Sequence, residues 1–269
     1  MTLQSDMKAR FGPWALVTGA SSGIGEEFVR QLAAAGLNVV LTARRQSRLH
    51  AIAADLAKDR DVETRVVVAD LFRENAVDDL YEATRDLDIG LVISNAGRGN
   101  PGEFLKFESS ELLSFFNLNA LAHLKIAHHF GRRLIDRGRG GLVLSSTAGA
   151  ANGVPFMAND AGCKAYAQGL GESLHVEFKR HGVNVTVMLV PPTDTATLGI
   201  YGLDAATMPV KPLSTRQCVS ETLKAVFENR SHYQPGRLYR TMSALIPPAV
   251  MRETTAKAME QIIAKRAAS

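Results

Sequence analysis

The segment WALVTGASSGIG, residues 14–25, decides how this chain folds. Its first four residues are apolar and predict a buried strand, a glycine-rich turn follows, and residues 24–35 have the apolar spacing of a helix. Gly19 permits a tight turn, Gly23 lets the backbone approach a pyrophosphate, and Gly25 lets the helix pack on the strand. Free N–H groups at the start of the helix then face the phosphates. The segment therefore predicts a dinucleotide-binding site.

Strand-like apolar runs alternate with helical patterns along the rest of the chain. Strands are predicted at 14–18, 37–43, 64–69, 89–94, 141–146 and 183–190, with a weaker one at 236–240. Helices are predicted at 24–35, 46–58, 73–86, 109–136, 159–181, 214–228 and within 248–267. This alternation predicts an α/β fold with a doubly wound parallel sheet and helices on both faces. Ligands are then expected at the carboxyl ends of the strands.

The pattern divides the chain into one main domain and two terminal segments. Residues 1–12 carry charges without an apolar centre and are predicted to be a flexible leader. Residues 13–240 form the domain, and they include the apolar segment 196–213, either a mobile flap over the substrate or a packed surface helix. Residues 241–269 are a C-terminal helical extension, expected to pack on a subunit or over the cleft, with membrane contact as the alternative.

Composition narrows the range of functions. The 269 residues, 46% of them hydrophobic, suffice for one buried core, and a net charge of +4 is too small to predict nucleic-acid binding. Cys163 and Cys218 have no CxxC spacing, which favours a reducing compartment, the cytoplasm, and no metal site. No apolar run reaches the ~20 residues of a transmembrane segment. The amino terminus lacks the apolar centre of a secretory signal.

The residues that end the second to fourth strands indicate which dinucleotide binds. An acidic residue after the second strand would favour NAD, whereas Arg44 can pair with the 2′-phosphate of NADP, so NADP(H) is predicted. The alternative is that Arg44 and Arg45 only begin an exposed helix. Asp70-Leu71 closes the third strand, where the acid can contact the adenine amino group. Residues 95–97 form a small, tight turn beside the ribose.

With SSTAG at 145–149 and the helix around Lys164, these segments resemble the short-chain dehydrogenase/reductase family over residues 13–195. The resemblance implies a Rossmann-type domain that binds a nicotinamide cofactor and assembles as a homodimer or homotetramer. The C-terminal tail resembles members that act on bulky, apolar small molecules. The residues assigned to the cofactor are Gly19, Ser21, Ser22, Gly23, Ile24, Gly25, Arg44, Asp70, Leu71, Asn95, Ala96, Gly97, Lys164, Pro191 and Thr195.

The same resemblance assigns the reacting residues. The family uses an Asn, a Ser, a Tyr and a Lys, and Asn119, Ser146 and Lys164 match three of them. Asn119 would hold a water chain to the lysine, Ser146 would bind the substrate oxygen, and Lys164 would bind the nicotinamide ribose and lower the pKa of the acid. Asp160 stands where the Tyr belongs, four residues before the lysine. Tyr166 lies on another face of that helix and does not simply replace it.

This substitution changes the expected chemistry. A free Tyr with a pKa near ~10 keeps its proton at neutral pH, whereas a free Asp with a pKa of ~3.9 is protonated only about once in a thousand molecules at pH 7. Burial would raise the pKa of Asp160, while Lys164 one helical turn away would lower it. We therefore expect Asp160 to be a carboxylate paired with Lys164, and the chain to be a poor ketone reductase.

Three interpretations follow. In the favoured one, the chain is an NADP(H)-dependent oxidoreductase for a carbonyl or alcohol, and Asp160 impairs its ordinary activity. In the second, Asp160 stabilises a cationic iminium substrate, which accepts hydride without first needing a proton. In the third, the chain has left redox chemistry and is a non-redox enzyme or an NADP(H)-binding non-enzyme.

Overall fold

A seven-stranded parallel sheet forms the centre of the computed structural model, which describes residues 3–59, 61–206 and 208–267. Its strands are β1 Trp14–Thr18, β2 Asn38–Ala43, β3 Thr64–Val68, β4 Ile89–Ser94, β5 Gly140–Thr147, β6 Val183–Val190 and β7 His232–Tyr233. They lie in the order β3-β2-β1-β4-β5-β6-β7. The strand order therefore reverses between β1 and β4, which is where ligands bind in open parallel sheets.

Helices cover both faces of this sheet. They are α1 Leu3–Phe11, α2 Gly23–Ala34, α3 Gln46–Asp59, α4 Ala76–Glu82, α5 Ser109–Phe116, α6 Ala122–Asp136, α7 Ala158–Lys179, α8 Ala196–Ile200, α9 Thr215–Phe227, α10 Arg237–Leu245 and α11 Pro248–Ala267. Successive residues of β1 belong to the apolar cores on opposite faces of the sheet. Val17 lies in the same core as Phe28 of α2, and Leu16 lies in the other core with Ile126 of α6. This period of two is the pattern of a strand buried on both faces. The predicted doubly wound, Rossmann-type fold is confirmed.

Two predicted elements differ in type from those in the structure. The weak strand at 236–240 is wrong, because α10 occupies those positions and the last strand is the short β7. Leu238 is largely exposed while its neighbour Tyr239 is buried, as a helix that rests one face on the domain requires. The predicted helix 109–136 is interrupted by a π-helical turn, Asn117–Leu121, between α5 and α6.

The flexible leader predicted for residues 1–12 is also wrong for the described residues 3–11, because they form α1. Met7 and Phe11, one helical turn apart, are both buried in the core. The Phe11 ring meets the ring of Phe227 edge to face, with centroids 6.4 Å apart. The feature of the sequence that could have predicted α1 is this i,i+4 apolar pair within an otherwise polar segment.

The flap and the C-terminal extension lie on one side of the sheet. Of residues 196–206 and 208–213, α8 takes the first five. Leu213, at the end of the segment, exchanges backbone hydrogen bonds with Pro192 and Asp194 of the loop that follows β6. Its predicted mobility stays a prediction. Among the described residues, no helix combines the length and hydropathy that a bilayer crossing requires.

The burial of Phe11 leads to a stability prediction. We expect Phe11→Ala to lower the free energy of unfolding by about 3–5 kcal/mol, the usual cost of deleting a buried aromatic ring. Urea denaturation followed by circular dichroism measures it. The matched control is Leu105→Ala, where the side chain is 92% exposed and the expected change is within about 0.5 kcal/mol. Equal, small effects of both substitutions would show that α1 is not part of the folded core.

Candidate active site

A cleft of about 1040 Å³ runs along the carboxyl ends of β1, β2, β4, β5 and β6. The structure brings to its wall every residue that the sequence assigned to the cofactor, together with Ser146 and Asp160. Asn119 is the one predicted site residue outside this lining, because it is fully buried behind the loop that follows β4. Residues from distant parts of the sequence thus meet at the point where the strand order reverses.

The turn after β1 leaves room for a diphosphate only because it lacks side chains. Gly19 and Gly23 have φ values of +69° and +56°, a region that favours glycine. A Cβ on Gly25 would overlap the carbonyl oxygen of Gly19 and lie 2.9 Å from the Asn95 amide nitrogen. A Cβ on Gly23 would lie 3.1 Å from the Thr195 methyl group. This cradle at the amino end of α2 fits the diphosphate of a dinucleotide.

Hydrogen bonds from β1 to the turn after β4 fix the shape of this cradle. The Thr18 hydroxyl accepts from the backbone N–H groups of Asn95 and Ala96, each at 2.9 Å. The Asn95 side-chain amide donates back to the Thr18 carbonyl at 3.2 Å. The turn at residues 95–97 is therefore held beside the first glycine of the diphosphate loop.

Two arginines lie at the end of the cleft beyond β2. The Arg44 guanidinium is half-exposed, 3.9 Å from an oxygen of Asp70 and 5.1 Å from the centroid of the Phe72 ring. Arg45 donates to the Ser21 hydroxyl at 3.0 Å and to the Ser22 hydroxyl at 2.7 Å. Arg45 thus braces the diphosphate loop, a contact that its position in the sequence could not indicate. Arg44 keeps its charge directed toward the cleft.

A π-helical turn places Asn119 against the loop after β4. Its amide donates to the Arg98 carbonyl at 2.8 Å and its oxygen accepts from the Arg98 N–H at 3.1 Å. A Cβ on Gly97 would lie 3.0 Å from this oxygen and 2.8 Å from the Lys164 ammonium nitrogen. Gly97 therefore lets the lysine approach the backbone closely. Turns of this type inside α-helices are often found at functional sites.

Lys164 is buried and bonded to β5. Its ammonium donates to the Ser145 carbonyl at 3.3 Å, and its own carbonyl accepts from the Ser146 hydroxyl at 2.8 Å. Burial lowers the pKa of Lys164, while the Asp160 carboxyl opposes the shift. The Ser146 hydroxyl proton is directed at α7 in this structure, so binding a substrate oxygen requires that hydroxyl to rotate.

The predicted ion pair between Asp160 and Lys164 is not formed, since no oxygen of Asp160 lies within 4.0 Å of the lysine nitrogen among the described contacts. The side chain of Asp160 is 8% exposed, and its Oδ1 atom has no hydrogen-bond partner. Burial raises the pKa of this carboxyl, and Lys164 only partly opposes that. The sequence could not show that Lys164 would turn toward Ser145 instead.

A second buried base lies behind the lysine and was missed by sequence reasoning. His123 of α6 is fully buried, with Nδ1 2.7 Å from the Ser94 hydroxyl and Nε2 without a partner. Burial, together with the Lys164 charge, holds the pKa of His123 well below its usual range. The ring is therefore neutral at pH 7 and does not add a positive charge behind the lysine.

The far wall of the cleft comes from the flap and the C-terminal helices. The flap contributes Leu198, Ile200, Tyr201 and Leu203, and α10 and α11 contribute Tyr239, Met242, Met251 and Arg252. Arg252 donates to the Asn152 carbonyl at 2.9 Å, which ties α11 to the loop after β5. The predicted packing of the C-terminal extension over the cleft is what the structure shows for α10 and α11.

The isolated carboxyl of Asp160 predicts a pH-dependent stability. Because its pKa is higher in the folded than in the unfolded state, its contribution to stability is complete below the usual value of 3.8 and is lost as pH rises through the folded-state pKa. We expect Asp160→Asn to raise the free energy of unfolding at pH 8 by about 1–3 kcal/mol, the cost of an unsatisfied buried polar group. Near pH 4 the difference should shrink toward zero.

Urea unfolding of both proteins between pH 4 and pH 8 measures this difference. The matched control is Asp136→Asn at the exposed end of α6, where we expect a change within about 0.5 kcal/mol throughout. A gain for Asp160→Asn that is the same at every pH would contradict the assignment, because it could not come from ionisation.

Comparison with known proteins places this geometry in a family. Residues 13–201 match the family model described as short chain dehydrogenase. The chain is 37% identical over 183 residues to the very-long-chain 3-oxoacyl-CoA reductase of Podospora anserina, an alignment covering 66% of this chain and 54% of that protein. It is 29% identical over 189 residues to the inactive hydroxysteroid dehydrogenase-like protein 1 of Homo sapiens, covering 69% and 57%. The chain spans about half the length of the 3-oxoacyl-CoA reductases that it matches.

Solved structures of related proteins have the same fold. A short-chain dehydrogenase from Sphingobium yanoikuyae in complex with NADPH superposes with a TM-score of 0.79 at 26% identity, covering 88% of this chain and 96% of that one. A 7beta-hydroxysteroid dehydrogenase superposes with a TM-score of 0.83 at 25% identity, covering 94% and 99%. With the matching segment, the glycine cradle after β1, and Ser146 of β5 bonded to Lys164 of α7, this chain belongs to the short-chain dehydrogenase/reductase family.

Proposed function

We propose that this chain is an NADP(H)-dependent oxidoreductase that transfers hydride to or from a bulky, apolar carbonyl or alcohol substrate. One observation supports this most: the diphosphate cradle, the Lys164 ammonium and the apolar wall of α10 and α11 line a single continuous cleft. A cofactor bound along the cradle supplies the hydride. The Lys164 ammonium, close to Gly97, would bind a ribose hydroxyl beside the turn after β4.

The preference for NADP(H) rests on Arg44. The Asp70 carboxylate 3.9 Å away and the Phe72 ring below hold its guanidinium at the edge of the cleft, where a 2′-phosphate would lie. No acidic side chain at the end of β2 is present to accept a ribose 2′-hydroxyl, since Ala43, Arg44 and Arg45 occupy those positions. The NADPH complex of the Sphingobium relative supports the same choice.

This assignment predicts a selective loss of affinity. We expect Arg44→Ala to weaken NADPH binding roughly 10- to 100-fold, since a hydrogen bond to a charged group contributes about 1.5–3 kcal/mol, and to leave NADH binding unchanged. Fluorescence titration with both nucleotides measures it. Arg85→Ala, in the exposed turn that follows α4, is the matched control with no expected effect. Equal losses for both nucleotides would contradict a 2′-phosphate contact.

Asp160 limits the reaction with a ketone. Carbonyl reduction needs a proton for the developing alkoxide, and an ionised carboxylate has none to donate. Burial raises the pKa of Asp160, so its protonated fraction exceeds that of an exposed carboxyl. Its side chain is also shorter than a tyrosine and leaves space above the lysine. We therefore infer slow turnover of ketones by the chain as it stands.

A second candidate function is supported by the unpaired Oδ1 atom of Asp160. A carboxylate in a buried, apolar cleft, released from Lys164, is a suitable partner for a cationic substrate. An iminium carbon accepts hydride directly, so this reaction would need no proton donor at residue 160. The carboxylate would bind and orient the positive charge.

Substitution at residue 160 separates these functions. We expect Asp160→Tyr to raise ketone reduction with NADPH roughly 100-fold, within the usual contribution of a general acid, because the phenol supplies a proton. For the second candidate, imine reduction by the unchanged chain would be lost in Asp160→Asn. Initial rates on a panel of bulky ketones and cyclic imines provide the measurement. If NADPH binds but no variant reduces any substrate, the chain is not an oxidoreductase.

The cytoplasmic location and the homodimeric or homotetrameric assembly remain predictions of the sequence. Assembly is checked by the mass of the purified chain in solution.

A further inference from the structure

The cleft contains a tyrosine that the family pattern does not use. The chain has five tyrosines, and of these Tyr201 and Tyr239 line the cleft. Tyr239 donates its hydroxyl to the Lys211 carbonyl at 3.1 Å, so that group is engaged away from a substrate. Tyr166 is exposed on α7 and lies outside the cleft lining. Tyr201, which follows α8 in the flap, is the one phenol positioned to act inside the cleft.

Tyr201 contacts the loop after β4 at Gly99, two residues beyond Gly97, where Lys164 approaches the same loop. Its ring and hydroxyl occupy the space where a side chain on Gly99 would lie, and the Met157 methyl group shares that space at 2.8 Å. A Cβ on Gly97 of the same loop would lie 2.8 Å from the Lys164 ammonium nitrogen. Asn119 fixes Arg98, between Gly97 and Gly99, through two hydrogen bonds. One short, pinned loop therefore brings the Tyr201 hydroxyl to the lysine end of the cleft.

The hydroxyl also lies within electrostatic range of Asp160. Burial raises the pKa of Tyr201 and the Asp160 carboxyl raises it further, while the neighbouring Gly99 backbone only partly opposes the shift. Tyr201 is consequently a neutral phenol across the whole physiological pH range. The Tyr201 side chain lines the cleft, so its O–H proton can reach a substrate oxygen there.

We propose that Tyr201 is the proton donor to the substrate oxygen in this chain, and that it acts from the flap in the space that Asp160 leaves open. The proposal rests on the proposed reduction of a carbonyl. When a nicotinamide nucleotide supplies hydride to the carbonyl carbon, the π electrons of the C=O bond would move to the oxygen. That oxygen takes the proton of Tyr201, so the Tyr201 O–H bond breaks and the product O–H bond forms. The phenolate regains a proton from water, since Tyr201 is only partly buried.

The raised pKa keeps Tyr201 at neutral pH in the protonated form that carbonyl reduction requires. A phenol of raised pKa still gives its proton to an alkoxide, which is a stronger base than a phenolate. In the reverse direction the phenolate would have to take the proton of the alcohol, and near neutral pH that form of Tyr201 is scarce. The flap would then deliver the proton only when it is packed against the loop after β4.

The test compares Tyr201→Phe in two backgrounds, the unchanged chain and Asp160→Tyr, with a bulky ketone and NADPH. In the unchanged chain we expect kcat to fall roughly 100-fold and KM to change less than about threefold, because the ring and its packing remain. With Asp160→Tyr present, the added phenol supplies the proton, so Tyr201→Phe should then lower kcat less than about threefold. Tyr166→Phe is the matched control and should leave kcat unchanged.

Each other outcome has a defined meaning. An equal loss in both backgrounds would show that Tyr201 only shapes the cleft, and it would overturn the proposal. Ketone reduction by Asp160→Tyr but none by the unchanged chain would also overturn it, while the proposed function would stand. Absence of reduction in both backgrounds would contradict the proposed function itself. NADPH titration and urea midpoints, expected to be the same for Tyr201→Phe and its parent, confirm that the variant is folded.

Discussion

The structure depends on the connection between β1 and β4 at the point where the strand order reverses. A single buried hydroxyl, that of Thr18, accepts from two backbone N–H groups of the neighbouring turn and donates to the Ile93 carbonyl at 3.4 Å. These bonds satisfy backbone groups that would otherwise be buried without partners, a cost of about 1–3 kcal/mol each. They also set the separation of the loops that follow β1 and β4. The phosphate cradle and the lysine end of the cleft are both built outward from this contact.

The buried polar groups around Lys164 illustrate how a functional site departs from what stability alone would select. The Asp160 carboxyl, the Ser145 hydroxyl and the Nε2 atom of His123 are all buried without a partner. Each of them costs free energy in the folded state, and the surrounding core must offset that cost. Burial of the large apolar clusters on both faces of the sheet provides the stabilising free energy that offsets this cost. In a site of this kind, the polar groups are free to hydrogen-bond with a ligand because they are not bonded to one another.

The residues assigned to the cofactor line one cleft, as the sequence predicted, because the constraints on their positions are local. Turn chemistry predicts the positions of the glycines at 19, 23 and 25, and the apolar period of the strands predicts which residues end them. Sequence reasoning failed where long-range packing decides the outcome. The direction of the Lys164 side chain depends on the Ser145 carbonyl of another element. The burial of α1 depends on Phe227, more than two hundred residues away in the chain. Tyr201 likewise meets the loop after β4 only in the folded molecule.

The π-helical turn at residues 117–121 has a consequence for how this part of the chain can change. It contains one residue more per turn than the helices on either side, and that extra residue turns Asn119 toward the Arg98 backbone. Removing it would restore a regular helix, yet either α5 or α6 would have to rotate by about 100° about its axis. For α6 that rotation would carry Ile126 and Phe130 out of the core. The irregular turn and the buried face of α6 can therefore be altered only together.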